Sequence, residues 1–214
     1  MNIGIIGSGV VARALAAGLL TEGHAVLFGT RKPSKLDDFV AAHPGARVGS
    51  VAEAGAFADL AVLAVKGTAA VAALAPAAAA LAGKPVIDAT NPIADAPPVD
   101  GVLQYFTGPN ESLLERLQAA YPEVKFVKAY NSVGSAKMVK PQYPAGRPTM
   151  FIAGNDAAAK AQVAAINEVL GWDTADMGGA AAARAIEPLA MLWCIPGFLH
   201  NQWSHAFKLL QPAR

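Results

Sequence analysis

Cysteine, histidine, net charge and catalytic signature motifs are all scarce in this sequence of 214 residues. Its single cysteine, Cys194, excludes an internal disulfide and a cysteine-built zinc site, and it fits a reducing compartment. The four histidines, His24, His43, His200 and His205, are scattered. The last two stand five residues apart, so they share no helical face and make a poor metal pair. Charged residues make up only 15 %, and 17 cations against 16 anions leave a formal charge of +1. That balance lacks the cationic footprint of a nucleic-acid binder. No G-x-S-x-G elbow, H-E-x-x-H helix or Walker A loop occurs. Long apolar runs are also missing: residues 68–83 are mostly alanine, are interrupted by Pro76, and fall short of the ~20 residues a bilayer span needs. Val71, Leu74 and Leu81 fall on one helical face there, which predicts a half-buried helix and no membrane contact. Met1-Asn2 leads straight into Ile3 without a basic leader, so the expected location is cytoplasmic.

What is abundant is apolar surface, 54 % of residues, enough to bury a sizeable core. Short apolar runs predict strands at residues 2–6, 25–28, 47–49, 60–65, 86–89, 124–129 and 149–153, with a weaker one near 172–175. Helical patterns alternate with them at 11–22, 35–42, 51–57, 68–82, 113–120 and 157–170. Ser112 followed by Glu115 reads as a helix capping box, which accounts for the sequon at Asn110 more simply than glycosylation does. The alternation predicts an α/β fold, a Rossmann-type doubly wound, mostly parallel sheet over residues 1–178. A short helical addition is expected over 179–214. There Ile186, Leu189 and Trp193 make one helical stripe, Pro196-Gly197 interrupts it, and Leu199, Trp203, Phe207 and Leu210 make a second. This aromatic segment would pack on the sheet, on a second copy as a homodimer, or on both.

Chemistry is legible first at Gly7-Ser8-Gly9-Val10-Val11-Ala12, a G-x-G-x-x-A turn between the first strand and the first helix. Gly7 permits the tight turn, Gly9 has no side chain to keep a pyrophosphate from the backbone, and Ala12 lets helix and strand pack closely. The phosphates would rest on the helix N-terminus, where free N–H groups and the helix dipole favour anions. In NAD enzymes an acidic residue about 20 positions beyond the glycines holds the ribose 2′-OH. Here that count reaches Gly29, followed by Thr30-Arg31-Lys32 and, one turn later, Lys35. A hydroxyl and cations in place of a carboxylate point to the 2′-phosphate of NADP.

Two long segments follow strands, where open α/β sheets bind ligands. Residues 92–109 carry Asp95 and Asp100 and no cation, whereas residues 132–148 carry Lys137, Lys140 and Arg147 and no acid. The three cations would suit an anionic tail on a second substrate held in a crevice between these loops and the C-terminal helices; plain surface solvation suits them equally.

With those residues in view, the sequence resembles the NADP-dependent oxidoreductases that use the deazaflavin coenzyme F420. It is also similar to the NADPH-binding domain of the STEAP metalloreductases. The resemblance spans nearly the whole chain. It rests on Gly7-Ser8-Gly9, Gly29-Thr30-Arg31-Lys32, Val86-Ile87-Asp88-Ala89-Thr90-Asn91-Pro92 and Val127-Lys128-Ala129-Tyr130-Asn131-Ser132. Phe151-Ile152-Ala153-Gly154-Asn155-Asp156 and Arg184-Ala185-Ile186-Glu187-Pro188-Leu189 extend it. It implies that Gly7, Ser8, Gly9, Val10 and Val11 hold the pyrophosphate, and that Thr30, Arg31, Lys32 and Lys35 hold the 2′-phosphate. Val65, Lys66, Asn91, Pro92, Ala129 and Asn131 would surround the nicotinamide. Some archaeal members carry a longer G-G-x-G-x-x-G turn; this chain has the shorter form of STEAP-like and bacterial relatives, which leaves the second coenzyme open.

The expected activity is hydride transfer between NADP(H) and a planar redox coenzyme, F420 or a flavin (FMN or FAD). Such a reaction needs two ring faces aligned and no dedicated acid–base residue, because the cofactors carry the chemistry. One alternative is an NADPH-dependent reductase of a small carbonyl or imine, with Tyr105, Tyr143 or a water as proton donor. Another is a non-enzymatic NADP-binding redox sensor.

Overall fold

The computed structural model describes residues 1–210 of the chain. Six parallel strands form the main sheet in the order β3-β2-β1-β4-β5-β6: β1 Asn2–Ile6, β2 Ala25–Gly29, β3 Ala46–Gly49, β4 Leu60–Leu63, β5 Pro85–Asp88 and β6 Lys125–Lys128. The central strands are buried on both faces, as their unbroken apolar runs require. The order reverses direction beside β1, which opens a crevice at the carboxyl ends of β1 and β4.

One face of the sheet is covered by α1 (Val10–Thr21), α2 (Asp37–Ala42) and α6 (Ala157–Val169), where Leu15, Leu19, Phe39, Val163 and Ile166 share a core with Ile3, Ile5 and Phe28. On the other face lie α3 (Val51–Phe57), α4 (Ala70–Leu74) and α5 (Leu113–Ala120), and Leu74, Leu113, Leu114 and Leu117 pack on Leu63, Val86 and Phe126. Capping boxes start α3 at Ser50 with Glu53 and α5 at Ser112 with Glu115, the second as the sequence predicts. The weak strand foreseen near 172–175 is real, but β7 (Thr149–Ile152) and β8 (Asp173–Asp176) form a separate two-stranded parallel sheet. A single antiparallel bridge, Lys128 to Ala153, joins it to β6.

The sequence reading is corrected in three places. The long helix expected over 68–82 is broken into α4 and short 3₁₀ turns around Pro76, whose missing N–H stops the helix, and Val71 is exposed while Leu74 and Leu81 are buried. Pro196-Gly197 does not interrupt the C-terminal helix: α8 (Pro188–His200) follows the short α7 (Ala183–Ile186) and runs through both residues. The second helical stripe does not form. Asn201 takes a left-handed backbone (φ 52°) and ends α8, and Trp203 folds back over Gly197, where a Cβ would overlap the indole ring. Residues 201–210 then return to β7, with the Thr149 amide donating to the Phe207 carbonyl (2.9 Å) and Lys208 Nζ to the Arg147 carbonyl (2.6 Å). The addition expected to be helical over 179–214 is thus helical to His200 only, and residues 211–214 lie outside the described residues. Among the described residues, the helical run Ala180–His200, rather than residues 68–83, is the one that meets the length and composition of a bilayer span, and a third of it is buried in this fold.

Candidate functional site

The crevice beside β1 is a cleft of about 900 Å³. Gly7 makes its floor: φ is +134°, a conformation that side chains avoid, and a Cβ there would overlap the Ala64 carbonyl oxygen at the end of β4. The Gly7 amide donates to the Gly29 carbonyl (3.1 Å), fixing the turn against β2. Gly9 is the N-cap of α1 and has no side chain to cap it, and no acidic residue stands in the first helical turn. The first amides of α1 therefore face the cleft without a partner from a side chain, and a Cβ at Gly9 would meet no protein atom within 4 Å. This is a cradle with space above the backbone and a partial positive charge behind it, which fits a pyrophosphate.

Beyond the turn the cleft reaches a cationic corner. Thr30, Arg31, Lys32 and Lys35 line it, and no aspartate or glutamate does. Among the described residues, Arg31, Lys32 and Lys35 have no ion-pair partner, so their charge is free for an anion. Thr30 Oγ1 donates to Ser8 Oγ (3.4 Å) and accepts from the Lys32 amide (3.2 Å), which sets the corner against the glycine turn. Gly29 cannot carry the acid of an NAD enzyme, because its Cβ would lie 2.8 Å from the Val51 Cα in α3. Ser8, Val10, Val11 and Val65 complete this side, and Lys66 lines the far end, paired with Asp95 of the 92–109 segment.

Of the fifteen residues singled out in the sequence, eleven thus share one cleft. The other four, Asn91, Pro92, Ala129 and Asn131, lie behind its far end. Asn91 Nδ2 donates to the Asn131 carbonyl (2.7 Å), and Asn131 Nδ2 donates to Asn91 Oδ1 (3.2 Å) and to the Ile186 carbonyl (3.0 Å). Asn131 Oδ1 is buried without a partner and is free to accept. Just before it, Tyr130 has φ +60°, a strained geometry for an aromatic residue that turns the chain out of β6 at this point. Pro92 and Ala129 are enclosed in the core, with Ala129 at 0 % exposure, and offer a ligand no surface.

Several wall residues carry no sequence signal. Val51, Ala69, Ala72, Ala73 and Pro76 form an apolar flank opposite the cationic corner. Alanines in an alanine-rich tract look the same whether they face a ligand or a helix.

Behind the asparagine pair lies a buried charge cluster. Lys128 Nζ is 2.6 Å from Asp88 Oδ2 and 2.8 Å from Glu187 Oε1, and it donates to the Thr90 carbonyl (2.9 Å), all without solvent access. Glu187 accepts from the Leu113 and Leu114 amides at the start of α5 (2.9 and 3.0 Å), and Asp88 Oδ1 accepts from the Thr90 amide and hydroxyl. Burial alone would push the lysine down, but the two carboxylates outweigh it and hold the ammonium above its ordinary range.

Of the three cations in residues 132–148, Lys140 pairs at the surface with Glu22 at the end of α1 (2.5 Å) and Arg147 with Glu168 on α6 (2.5 Å), while Lys137 has no ion-pair partner among the described residues. Tyr105 donates its hydroxyl to the Glu187 carbonyl (2.8 Å), and burial raises its pKa well above the ordinary tyrosine range, so it is a poor proton donor. A smaller cavity of about 440 Å³ lies between residues 103–109 and α7–α8; its Arg184 is committed to Glu115 and its Glu111 to Arg116. Among the described residues no cluster of His, Cys, Asp and Glu could hold a metal.

Residues 2–92 match the family of NADP oxidoreductases that are dependent on coenzyme F420. The crystal structure of a candidate F420-dependent NADP reductase from Arthrobacter sp. FB24 is 33 % identical and superposes with a TM-score of 0.91, covering 98 % of this chain and 99 % of that one. The metalloreductase STEAP3 of Rattus norvegicus is 31 % identical over 202 residues, 92 % of this chain; the chain spans 39 % of that protein's length. A reductive aminase from Aspergillus terreus, solved with NADPH and ethyl levulinate, shares the fold at 19 % identity and a TM-score of 0.67, over 94 % of this chain and 62 % of that one.

Proposed function

The chain belongs to the family of coenzyme F420-dependent NADP oxidoreductases, and we propose that it passes hydride between NADP(H) and a planar redox coenzyme, F420 or a flavin. The observation that carries this reading is the cleft itself, an uncapped helix N-terminus leading to three unpaired cations with no carboxylate among its walls. In the proposed roles, the amides of Ser8 to Val11 hold the pyrophosphate. Thr30, Arg31 and Lys35 hold the 2′-phosphate, and Val51 with Ala69, Ala72 and Ala73 flanks the adenine. In this reading Asn91 and Asn131, hydrogen-bonded to each other behind the far end, would back the nicotinamide end of the cleft rather than line it. NADPH, when bound, supplies the hydride; the residues position it and keep competing charge away. Among the described residues, the acid–base side chains at that end are already engaged: Asp88 and Glu187 with Lys128, Lys66 with Asp95, and the Tyr105 hydroxyl with a carbonyl. That arrangement supports ring-to-ring transfer over reduction of a carbonyl or imine, which wants a proton donor.

The test is NADPH consumption followed by absorbance with F420, FMN, FAD, a ferric chelate and a panel of carbonyl and imine compounds. Turnover with F420 or a flavin is the expected outcome. Turnover confined to the carbonyl and imine panel would assign the reductase reading instead, and tight NADPH binding without turnover would assign a sensor. Arg31→Ala is expected to raise KM for NADPH about ten- to a hundredfold, the worth of one charge-assisted hydrogen bond, while KM for NADH stays unchanged. Equal effects on the two cofactors would refute the 2′-phosphate assignment. A homodimer is proposed through α8, whose Leu192, Phe198 and Leu199 stay exposed; light scattering is expected to give twice the chain mass, and a monomer mass would refute it.

A further inference from the structure

We infer that Arg13 is the residue that sets NADP over NAD, by bracing the glycine turn against the cationic corner without itself lining the cleft. Arg13 sits in the first turn of α1, a position where a cation opposes the helix dipole and needs a compensating reason. Its three donor groups supply that reason. Nε donates to the Ser8 carbonyl (3.4 Å), Nη1 to Asp38 Oδ2 (2.8 Å), and Nη2 to the Lys35 carbonyl. One planar fork thus ties the phosphate-binding turn to Lys35 in the 3₁₀ turn that follows Lys32 and to Asp38 in the first turn of α2. The pair is held in its charged form, since the guanidinium keeps the Asp38 carboxyl below the usual carboxylate range.

The segment so anchored carries Lys35 beside the buried Leu36, and it follows directly on Arg31 and Lys32, which are exposed and held through Thr30 and the Lys35 amide on the Lys32 carbonyl (3.2 Å). A flexible cationic loop would have to be ordered when a ligand binds, and that cost falls on affinity. Arg13 removes it in advance. The two dinucleotides differ only at the 2′ position, so a brace whose stronger bonds fall on this corner acts more on one of them than on the other. Arg13 is therefore a positioning and specificity-determining residue, and the inference rests on the NADP reading of the cleft.

The experiment measures binding of 2′,5′-ADP and of 5′-ADP by calorimetry, in parent, Arg13→Ala, Arg13→Lys and Arg31→Ala proteins, with Tm recorded for each. The expected result for Arg13→Ala is an about tenfold weaker 2′,5′-ADP with 5′-ADP changed by less than about threefold. Arg13→Lys should fall between, because an ammonium keeps Asp38 but cannot span both carbonyls as the fork does. An equal loss for both probes, or no loss, overturns the inference and leaves a structural role only. If Arg31→Ala loses the 2′ preference while Arg13→Ala keeps it, the brace is wrong and the cleft reading stands. If the parent protein shows no preference for 2′,5′-ADP, both fall together.

Discussion

Replacing Lys128 by methionine is expected to lower the free energy of unfolding by about 3–5 kcal/mol, the cost of leaving buried charges without their partner. Methionine fills the volume but offers nothing to Asp88 and Glu187, whose carboxylates have no route to water. Part of the negative charge would still be met by the Leu113, Leu114 and Thr90 amides, which is why the fold should weaken rather than vanish. The dependence on pH has a definite sign. The ammonium is held above its ordinary value of 10.5, so its contribution is complete below that pH and is lost as pH rises through the higher folded-state value. Denaturant titrations should therefore show a constant gap between parent and Lys128→Met across neutral pH, closing only in strong alkali. A gap that closes below pH 9 would contradict the assignment of Lys128 as the charged centre of the cluster.

The second large effect separates two glycines two positions apart in the same turn. Gly7→Ala should damage the fold itself, because φ +134° is closed to alanine and its Cβ would overlap the Ala64 carbonyl oxygen. Strain of this kind costs on the order of 1–3 kcal/mol before the clash is added. Gly9→Val should do the opposite. Its backbone is extended (φ −82°, ψ −176°) and the space beyond is empty of protein, so stability is expected to fall by no more than about 1 kcal/mol, the preference of an N-cap for glycine over valine. Nucleotide affinity should nevertheless fall on the order of a hundredfold, the loss of two charge-assisted hydrogen bonds at ~1.5 kcal/mol each. Thermal melts and NADPH titration of the two proteins decide it. If Gly9→Val binds NADPH as the parent does, the pyrophosphate does not lie on this turn.

The glycine turn and cationic corner were legible because each depends on a short stretch of chain with a strict backbone or charge requirement. Strand positions were legible for a similar reason, since buried parallel strands read as unbroken apolar runs such as Leu60 to Leu63. What was hidden depends on distance along the chain or on the absence of chemistry. Lys128 and Glu187 stand out as parts of two separate motifs, yet nothing local says that their side chains meet. Arg13 looks like an ordinary surface residue of an amphipathic helix until Ser8, Lys35 and Asp38 are seen around it. The alanines of residues 68–82 have no large side chains to declare a face, so Pro76 decided the local structure unopposed. The tail 201–210 carried a helical spacing, but the fit of Trp203 over Gly197 and the left-handed Asn201 outweighed it.

The junction between the two sheets has its own consequence. One backbone bond joins their strands, the Lys128 amide donating to the Ala153 carbonyl (2.8 Å), backed by the Tyr130 amide on Met150 Sδ (3.0 Å) and by Met150 and Ile152 in the shared core. With so few backbone bonds across the seam, β7, β8 and the returning tail are expected to loosen ahead of the six-stranded layer, at the cost of uncovering Met150 and Ile152. Deuterium uptake would record this as two populations of backbone protons, a quickly labelled group near Thr149 to Ile152 and a slow one across β1, β4 and β5.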